Sequence, residues 1–426
     1  MTDVTVIADD LTGAADSGIA FALAGLPTFV SIGNAPAPDS AQIVSVDTDT
    51  RRLATTEAAQ RAGEAARDAY RRGTAALYKK IDSTLRGHVA AELEATFRAA
   101  ADLLSGATPI VLLAPAFPGT GRTTRAGRVL VSGVPLDESE VWRKSGMTGP
   151  AEPVAMLRAA GLAAESVALD AVRSRANALV SAFSALAERG MHVAVCDAEE
   201  EEDLRRIADA GAQLRRPVIW VGSGGLARHL PAALGLRPRP GGAPRPQLGS
   251  GPVLALVGSR SSVAREQARL LGAEGGVTTF VLDTDVLLGG SGGERWQKAS
   301  ADVRRALGAG QDLVLVTALG ANVDFEIGPA LAEALGRFAS ECAERIGGLI
   351  ATGGDIARAV LGALGAGGLH LLGEVEPGVP IGIADAKRPL PVVTKAGAFG
   401  TPPTLQRCRA ALKRLVGAAA PAAGRA

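Results

Sequence analysis

Short apolar runs alternate along the chain with stretches whose hydrophobic residues recur every three or four positions. The first pattern predicts buried strands and the second amphipathic helices. Strands are expected at about 4–8, 43–47, 76–81, 109–114, 192–196 and 217–221, with helices at 13–25, 53–72, 84–103, 172–188 and 200–212. The alternation then restarts, with strands near 253–257, 277–283, 312–318, 347–351 and 391–394 and helices near 262–272, 295–307, 326–344 and 354–364. Strands that alternate with helices indicate parallel sheets covered on both faces. Between the halves lies LRPRPGGAPRPQLGSGP, residues 236–252, rich in Pro, Gly and Arg and without a hydrophobic period. It reads as a linker.

The expected fold class is therefore α/β: two three-layer α/β domains with mainly parallel sheets, joined by a Pro/Gly-rich linker. The expected boundaries are 1–235, the linker 236–252, 253–415 and a flexible tail 416–426. Ligands of such sheets bind beyond the carboxyl ends of the strands. The informative residues should follow the strands directly, with the active site in the inter-domain cleft.

Composition narrows the function classes. With 426 residues the chain is long enough for two domains. Its 45 basic and 44 acidic side chains create no global field for nucleic acid or an anionic membrane, so neither is expected as a partner. Cys196, Cys342 and Cys408 are widely spaced and form no CxxC, which argues for a reducing, cytoplasmic compartment and against a disulfide framework or zinc site. The acidic, strand-like opening MTDVTVIADD is not read as a signal peptide. His88, His192, His229 and His370 show no metal-ligand spacing, and no protein metal site is expected.

Three blocks in the first half carry candidate chemistry. VTVIADD runs a strand into Asp9 and Asp10. Such a pair can bind sugar hydroxyls and accept the proton of an attacking hydroxyl, although one carboxylate serves equally as a helix cap. YKKIDSTLRGH (78–88) places Lys80, Asp82 and Arg86 at a strand end, with Ser83 and Thr84 expected to cap a helix. Strand alternation sends Lys79 and Lys80 to opposite faces, so one of them reaches the pocket. A cationic cluster of this kind can hold a carboxylate, Arg bidentately. LLAPAFPGTGRTTRAG (112–127) offers Arg122 on a stiff loop, which can also grip an anion.

The second half holds two glycine turns between strand and helix: Gly258-Ser259-Arg260-Ser261 and Thr352-Gly353-Gly354-Asp355. Glycine admits phosphate close to the backbone, and the helix N-terminus supplies free N–H groups. Neither turn is a P-loop or a dinucleotide-binding fingerprint. VVTKAGAFG (392–400) adds Lys395 and Gly397 after the last strand.

Together these blocks resemble the four-carbon acid sugar kinase family. The matching segments are IADDLTGAAD, YKKIDSTLRGH, APAFPGTGRTT, SGVPLDESE, VGSRS, ATGGDIARAV and KAGAFG, in order along almost the whole chain. The resemblance implies an N-terminal sugar-acid domain and a C-terminal ATP domain. It implies phosphorylation of the terminal (4-)hydroxyl of a small-molecule four-carbon sugar acid, with ATP and Mg²⁺ as cofactors. Within the family the segments look most like the D-threonate and D-erythronate kinases; 3-oxo-tetronate kinase is the alternative. By carry-over, Asp9, Asp10, Lys80, Asp82 and Arg86 are sugar-acid positions, Asp10 being the expected proton acceptor. Ser259, Gly353, Gly354, Asp355, Ile356 and Gly397 are ATP positions. Asp355 and Ile356 stand where the family pattern has Glu-Thr, which leaves open the polar contact at 356. A homodimer stays open as the assembly. From another class, a nicotinamide-dependent sugar-acid dehydrogenase is the rival; it requires a GxGxxG with an acidic residue about 20 residues on, absent after strand 253–257.

Overall fold

A computed structural model describes residues 2–33, 35–104, 108–144, 149–239, 246–258, 261–318 and 327–419. The chain divides into two compact units, Met1–Phe29 with Pro38–Gly242, and Val30–Ala37 with Ala243–Ala426.

The strands of the first half are β1 (Val4–Ala8), β2 (Thr28–Ile32), β3 (Ile43–Asp47), β4 (Ala76–Lys80), β5 (Ile110–Ala114), β6 (Arg122–Arg125), β7 (Arg128–Val131), β8 (Val134–Pro135), β9 (Ala164–Val167), β10 (Val193–Cys196) and β11 (Val218–Gly222). In the first unit the order β3-β1-β4-β11-β5-β10-β9 forms a sheet whose neighbours are all parallel. Apolar runs such as VTVIA and IVLLA are buried along their whole length, as strands covered on both faces must be. Alternate residues of one strand enter opposite cores. Val6 and Leu112 pack with Phe21, Phe183 and Trp220 on one side, whereas Ile7 and Leu113 pack with Leu93 and Phe97 on the other.

The second unit holds β12 (Val253–Val257), β13 (Val277–Asp283), β14 (Asp312–Ala318), β15 (Gly348–Thr352), β16 (Gly368–Glu374), β17 (Pro380–Ala384) and β18 (Leu390–Lys395). Their order is β13-β14-β12-β15-β18-β17-β16, parallel as far as β18 and antiparallel for the last two pairs. The mainly parallel α/β architecture expected from the sequence is the one observed.

The structure departs from the expected elements in several places. The helix expected from residue 84 starts at Val89. Residues 82–88 form a turn in which Leu85 (φ +55°) and Gly87 (φ +87°) take left-handed conformations that no helix accommodates. The loop expected after β5 contains the antiparallel sheet β6-β7-β8. Asp197 anchors it by accepting from the Ala126 and Gly127 N–H groups at 2.8 and 2.9 Å. Its turn residues, Ala126 and Gly127, both have positive φ, a geometry that an Ala-Gly pair signals weakly compared with Asn-Gly. The start of the linker is packed: Gln42 Nε2 donates to the Arg237 carbonyl at 2.6 Å, and Arg239 N–H donates back to Gln42 Oε1 at 3.1 Å. The final helix, Thr404–Ala419, runs past the expected boundary at 415. No helix among the described residues is long and apolar enough to cross a membrane.

Candidate active site

In the first unit the strand register aligns the ends that matter. Ala8 of β1 lies beside Asp47 of β3, Ile7 beside Lys79 of β4, and Lys80 beside Gly222 of β11. The segments that follow β1, β3 and β4 therefore emerge side by side at one carboxyl edge, bringing Asp9, Asp10, Arg51, Lys80, Asp82 and Arg86 together. Asp10 caps the helix Leu11–Leu23: its Oδ1 accepts from Gly13 N–H at 2.8 Å and its Oδ2 from the Thr12 hydroxyl at 2.7 Å. The helix-cap alternative thus holds for Asp10, which stays partly open to solvent. Asp9 is buried.

Arg51 joins the two carboxylates. Its Nε and Nη2 hold Asp9 at 2.7 and 2.9 Å, and its Nη1 reaches Asp10 at 2.6 Å. Arg51 is not among the residues expected from the sequence. Its signal was the rule that functional groups follow strand ends; TDTRR follows β3 directly, and its two adjacent arginines hide which one turns inward. Burial by itself would raise the Asp9 carboxyl, but Arg51, with Lys79 and Lys80 behind it, holds it below its ordinary value.

Asp82 forms a second bidentate pair, with Arg86 Nε and Nη2 both at 2.8 Å, and also accepts from Thr84 N–H at 3.1 Å and from the Thr84 hydroxyl. Burial opposes its charge, and Arg86, Arg51 and Lys80 overcome that to depress its pKa strongly. Thr84 thus closes the turn onto Asp82 where a helix start was expected. The two lysines divide as alternation requires. Lys79 is fully buried in an ion pair with Glu92 at 2.6 Å, and Glu92 also accepts from the Thr50 hydroxyl at 2.7 Å, next to Arg51. Lys80 is 5% exposed, and its ammonium makes no hydrogen bond or ion pair among the described residues. Arg122 lies within the field of Asp82 and Arg86; burial lowers its pKa, and its Nε has no hydrogen-bond partner. Four cations (Arg51, Lys80, Arg86, Arg122) thus accompany three carboxylates (Asp9, Asp10, Asp82), one positive charge in excess.

Glycine is required at two points of this edge. A Cβ at Gly13 would fall 2.6 Å from Asp10 Oδ1 and 3.2 Å from Lys80 Nζ. One at Gly87 would fall 2.8 Å from Asp9 Oδ2, at a φ that L residues rarely adopt.

The second unit shows the same logic. Val257, Thr352 and Lys395 lie in register at the ends of neighbouring parallel strands β12, β15 and β18. Gly258, Gly353 and the segment from Ala396 therefore share one edge. Gly353 (φ +99°) donates to the Lys395 carbonyl at 2.8 Å and opens the helix Gly354–Ala363, on whose exposed first turn Asp355 sits. Ile356 is buried instead: its Cδ1 would lie 2.6 Å from a Cβ at Gly258, so its side chain packs beneath the first turn. Gly397 lies in the segment after β18, its carbonyl 3.3 Å from Lys395 Nζ. Ser259 falls outside the described residues. Lys395 is buried and makes no ion pair among the described residues, and burial pushes its pKa down to about 8. Among the described residues no three His, Cys, Asp or Glu side chains group as a metal site.

Residues 4–230 match the model of a sugar-binding N-terminal domain, and residues 254–405 that of a nucleotide-binding C-terminal domain. A Cupriavidus necator protein named D-threonate kinase is 44% identical over 93% of this chain and 94% of its own length. A Heliobacterium modesticaldum protein named D-erythronate kinase is 30% identical over 94% of each. The fold matches the solved structure of a Salmonella typhimurium protein with a TM-score of 0.81, at 24% identity, across 96% of this chain and 99% of that one. Two α/β units, one with a cluster of cations and carboxylates at its strand ends and one with adjoining glycine turns, are the framework of a sugar-acid kinase. The chain belongs to the four-carbon acid sugar kinase family.

Proposed function

We propose that this protein transfers the γ-phosphoryl group of ATP to the terminal, 4-hydroxyl group of D-threonate. The observation that carries the reading is Lys80: a nearly buried ammonium that makes no hydrogen bond or ion pair among the described residues, beside carboxylates already committed to Arg51 and Arg86. A buried cation is costly unless an anion completes its site, and the carboxylate of a sugar acid does so. The full-length likeness to a protein named D-threonate kinase supports the choice of acid.

In this reading Lys80 and the outer face of Arg86 fix the carboxylate, and Asp9, held rigid by Arg51, orients the hydroxyls. Asp10, the more open of the pair, takes the proton of the attacking hydroxyl. Phosphoryl transfer needs little covalent help, so positioning and charge neutralisation supply most of the acceleration. Gly353, Gly354, Gly397 and Lys395 fit a polyphosphate, since the first three allow close backbone approach and the last is a buried cation that makes no ion pair among the described residues. When bound, Mg²⁺ supplies neutralisation of phosphate charge and is carried mainly by the nucleotide.

The test is coupled ADP release with ATP and Mg²⁺ against D-threonate, L-threonate, D-erythronate and 3-oxo-tetronates, with the product located by phosphorus NMR. D-threonate is expected to give the highest kcat/KM and a 4-phosphate. A higher value for D-erythronate or a 3-oxo-tetronate reassigns the substrate. Reduction of NAD without ATP consumption rejects the kinase reading.

A further inference from the structure

Residues 396–403 leave β18 and reach the final helix without forming helix or strand, yet side chains hold their backbone at many points. Lys395 Nζ donates to the carbonyls of Ala396 and Gly397 at 3.0 and 3.3 Å. Gln267, fully buried on the helix Ser262–Gly272, spends both amide hydrogens on the carbonyls of Phe399 and Thr401, at 3.1 and 2.9 Å. Glu376 accepts from Thr401 N–H and Oγ1, each at 3.3 Å, from Arg407 at 2.8 Å, and from the Thr404 hydroxyl. A Cβ at Gly400 (φ +87°) would fall 2.6 Å from Glu376 Oε1, so glycine lets the carboxylate close on the loop.

The latch has a directional consequence. In a planar trans peptide the carbonyl and the next N–H point opposite ways. Carbonyls 396, 397 and 399 are drawn into the protein, so the N–H groups of Gly397, Ala398 and Gly400 turn outward. None of the three donates to a protein acceptor among the described residues. Successive outward amides beside a cation form an anion-binding concavity. Gln267 is placed there at a cost, because its own Oε1 is buried without a partner.

Resting on the nucleotide reading above, we propose that Gln267 and Glu376 are positioning residues that hold this loop's carbonyls inward, so that the amides of Gly397, Ala398 and Gly400 bind phosphate oxygens of the nucleotide. Neither side chain touches the nucleotide itself. Gln267→Met keeps the shape and apolar stem and removes both donors; Glu376→Gln keeps the size and weakens the acceptor.

The experiment measures Mg-ATP affinity by calorimetry, both Michaelis constants and the melting temperature. For Gln267→Met the Kd and KM for ATP should rise about tenfold, the loss expected from two released hydrogen bonds, while KM for the sugar acid stays within about twofold. Glu376→Gln should shift the same constants in the same direction by less. Inorganic tripolyphosphate, used as a competitor of ATP, should weaken in parallel, which identifies phosphate as the group contacted. Wild-type protein that binds ATP while both variants retain its affinity overturns the latch alone. Wild-type protein without ATP affinity overturns the nucleotide reading and the latch with it. Equal rises in both Michaelis constants with a lowered melting temperature indicate a merely structural role and also overturn the proposal.

Discussion

In the proposed reaction Lys80 serves binding and Asp10 chemistry, so the two roles are tested at single positions. Lys80→Met removes a buried charge but also its attraction to Asp9 and Asp82, so the two effects oppose and stability should change by less than about 1 kcal/mol. The Michaelis constant for the sugar acid should rise about 100-fold, with ATP affinity unchanged; initial rates together with a denaturant titration check both halves. Asp10→Asn preserves the helix cap, since Asn caps as well as Asp, but removes the proposed proton acceptor. Its kcat should fall about 10²-fold or more while the melting temperature holds. Lys395 gives the pH dependence. Its folded pKa is lowered to about 8, so the ammonium is present below pH 8 and lost above. ATP affinity should weaken as pH rises through 8, and Lys395→Arg, which keeps its charge, should flatten the profile. An unchanged slope in that variant would remove Lys395 from the phosphate site.

At the scale of elements, the turn 82–88 joins β4 to the helix Val89–Leu103. It is built from positive φ at Leu85 and Gly87 and from the closure of Thr84 and Arg86 onto Asp82. That closure fixes Arg86 against Asp82, at the edge where β4 ends in Lys80. Gly87→Ala meets both an unfavourable φ and the Asp9 carboxylate 2.8 Å away. It should cost about 2 kcal/mol, read from the urea midpoint, and displace Asp9 enough to raise the sugar-acid KM. Apolar periodicity locates such a segment but is silent about its path. Short polar turns are decided by side-chain hydrogen bonds, and here those bonds come from Asp82.

At the scale of the whole molecule, the chain crosses between its units more than once, since residues 30–37 belong with the second. Ile32 N–H donates to the Gly367 carbonyl at 3.0 Å within that unit. A fragment beginning near residue 246 lacks this segment and exposes the Gly367 backbone. It should unfold at lower urea than the corresponding transition of the full chain, and a synthetic peptide spanning 28–38 should recover part of the difference. Equal midpoints would show the segment to be dispensable. The Pro/Gly-rich stretch at 236–252 suggested one clean boundary, because composition reports where a chain lacks a core and cannot report that an earlier strand has joined a distant sheet.

The sequence by itself determined the alternation of parallel strands and helices, the blocks that carry acid, base and glycine, and the family. All of these depend on local periodicity or on residues adjacent in the chain. Only the tertiary structure decided which charges cancel. Arg51 reaches Asp9 and Asp10 across about forty positions, Lys79 is spent on Glu92, and Lys80 is buried with no hydrogen bond or ion pair among the described residues. Likewise Ile356 became packing under Gly258, and Gln267 became the hold on a loop more than a hundred residues away. The physical reason is common to these cases: partnership between buried polar groups is set by strand register and sheet order, and neither is written in any single stretch of sequence.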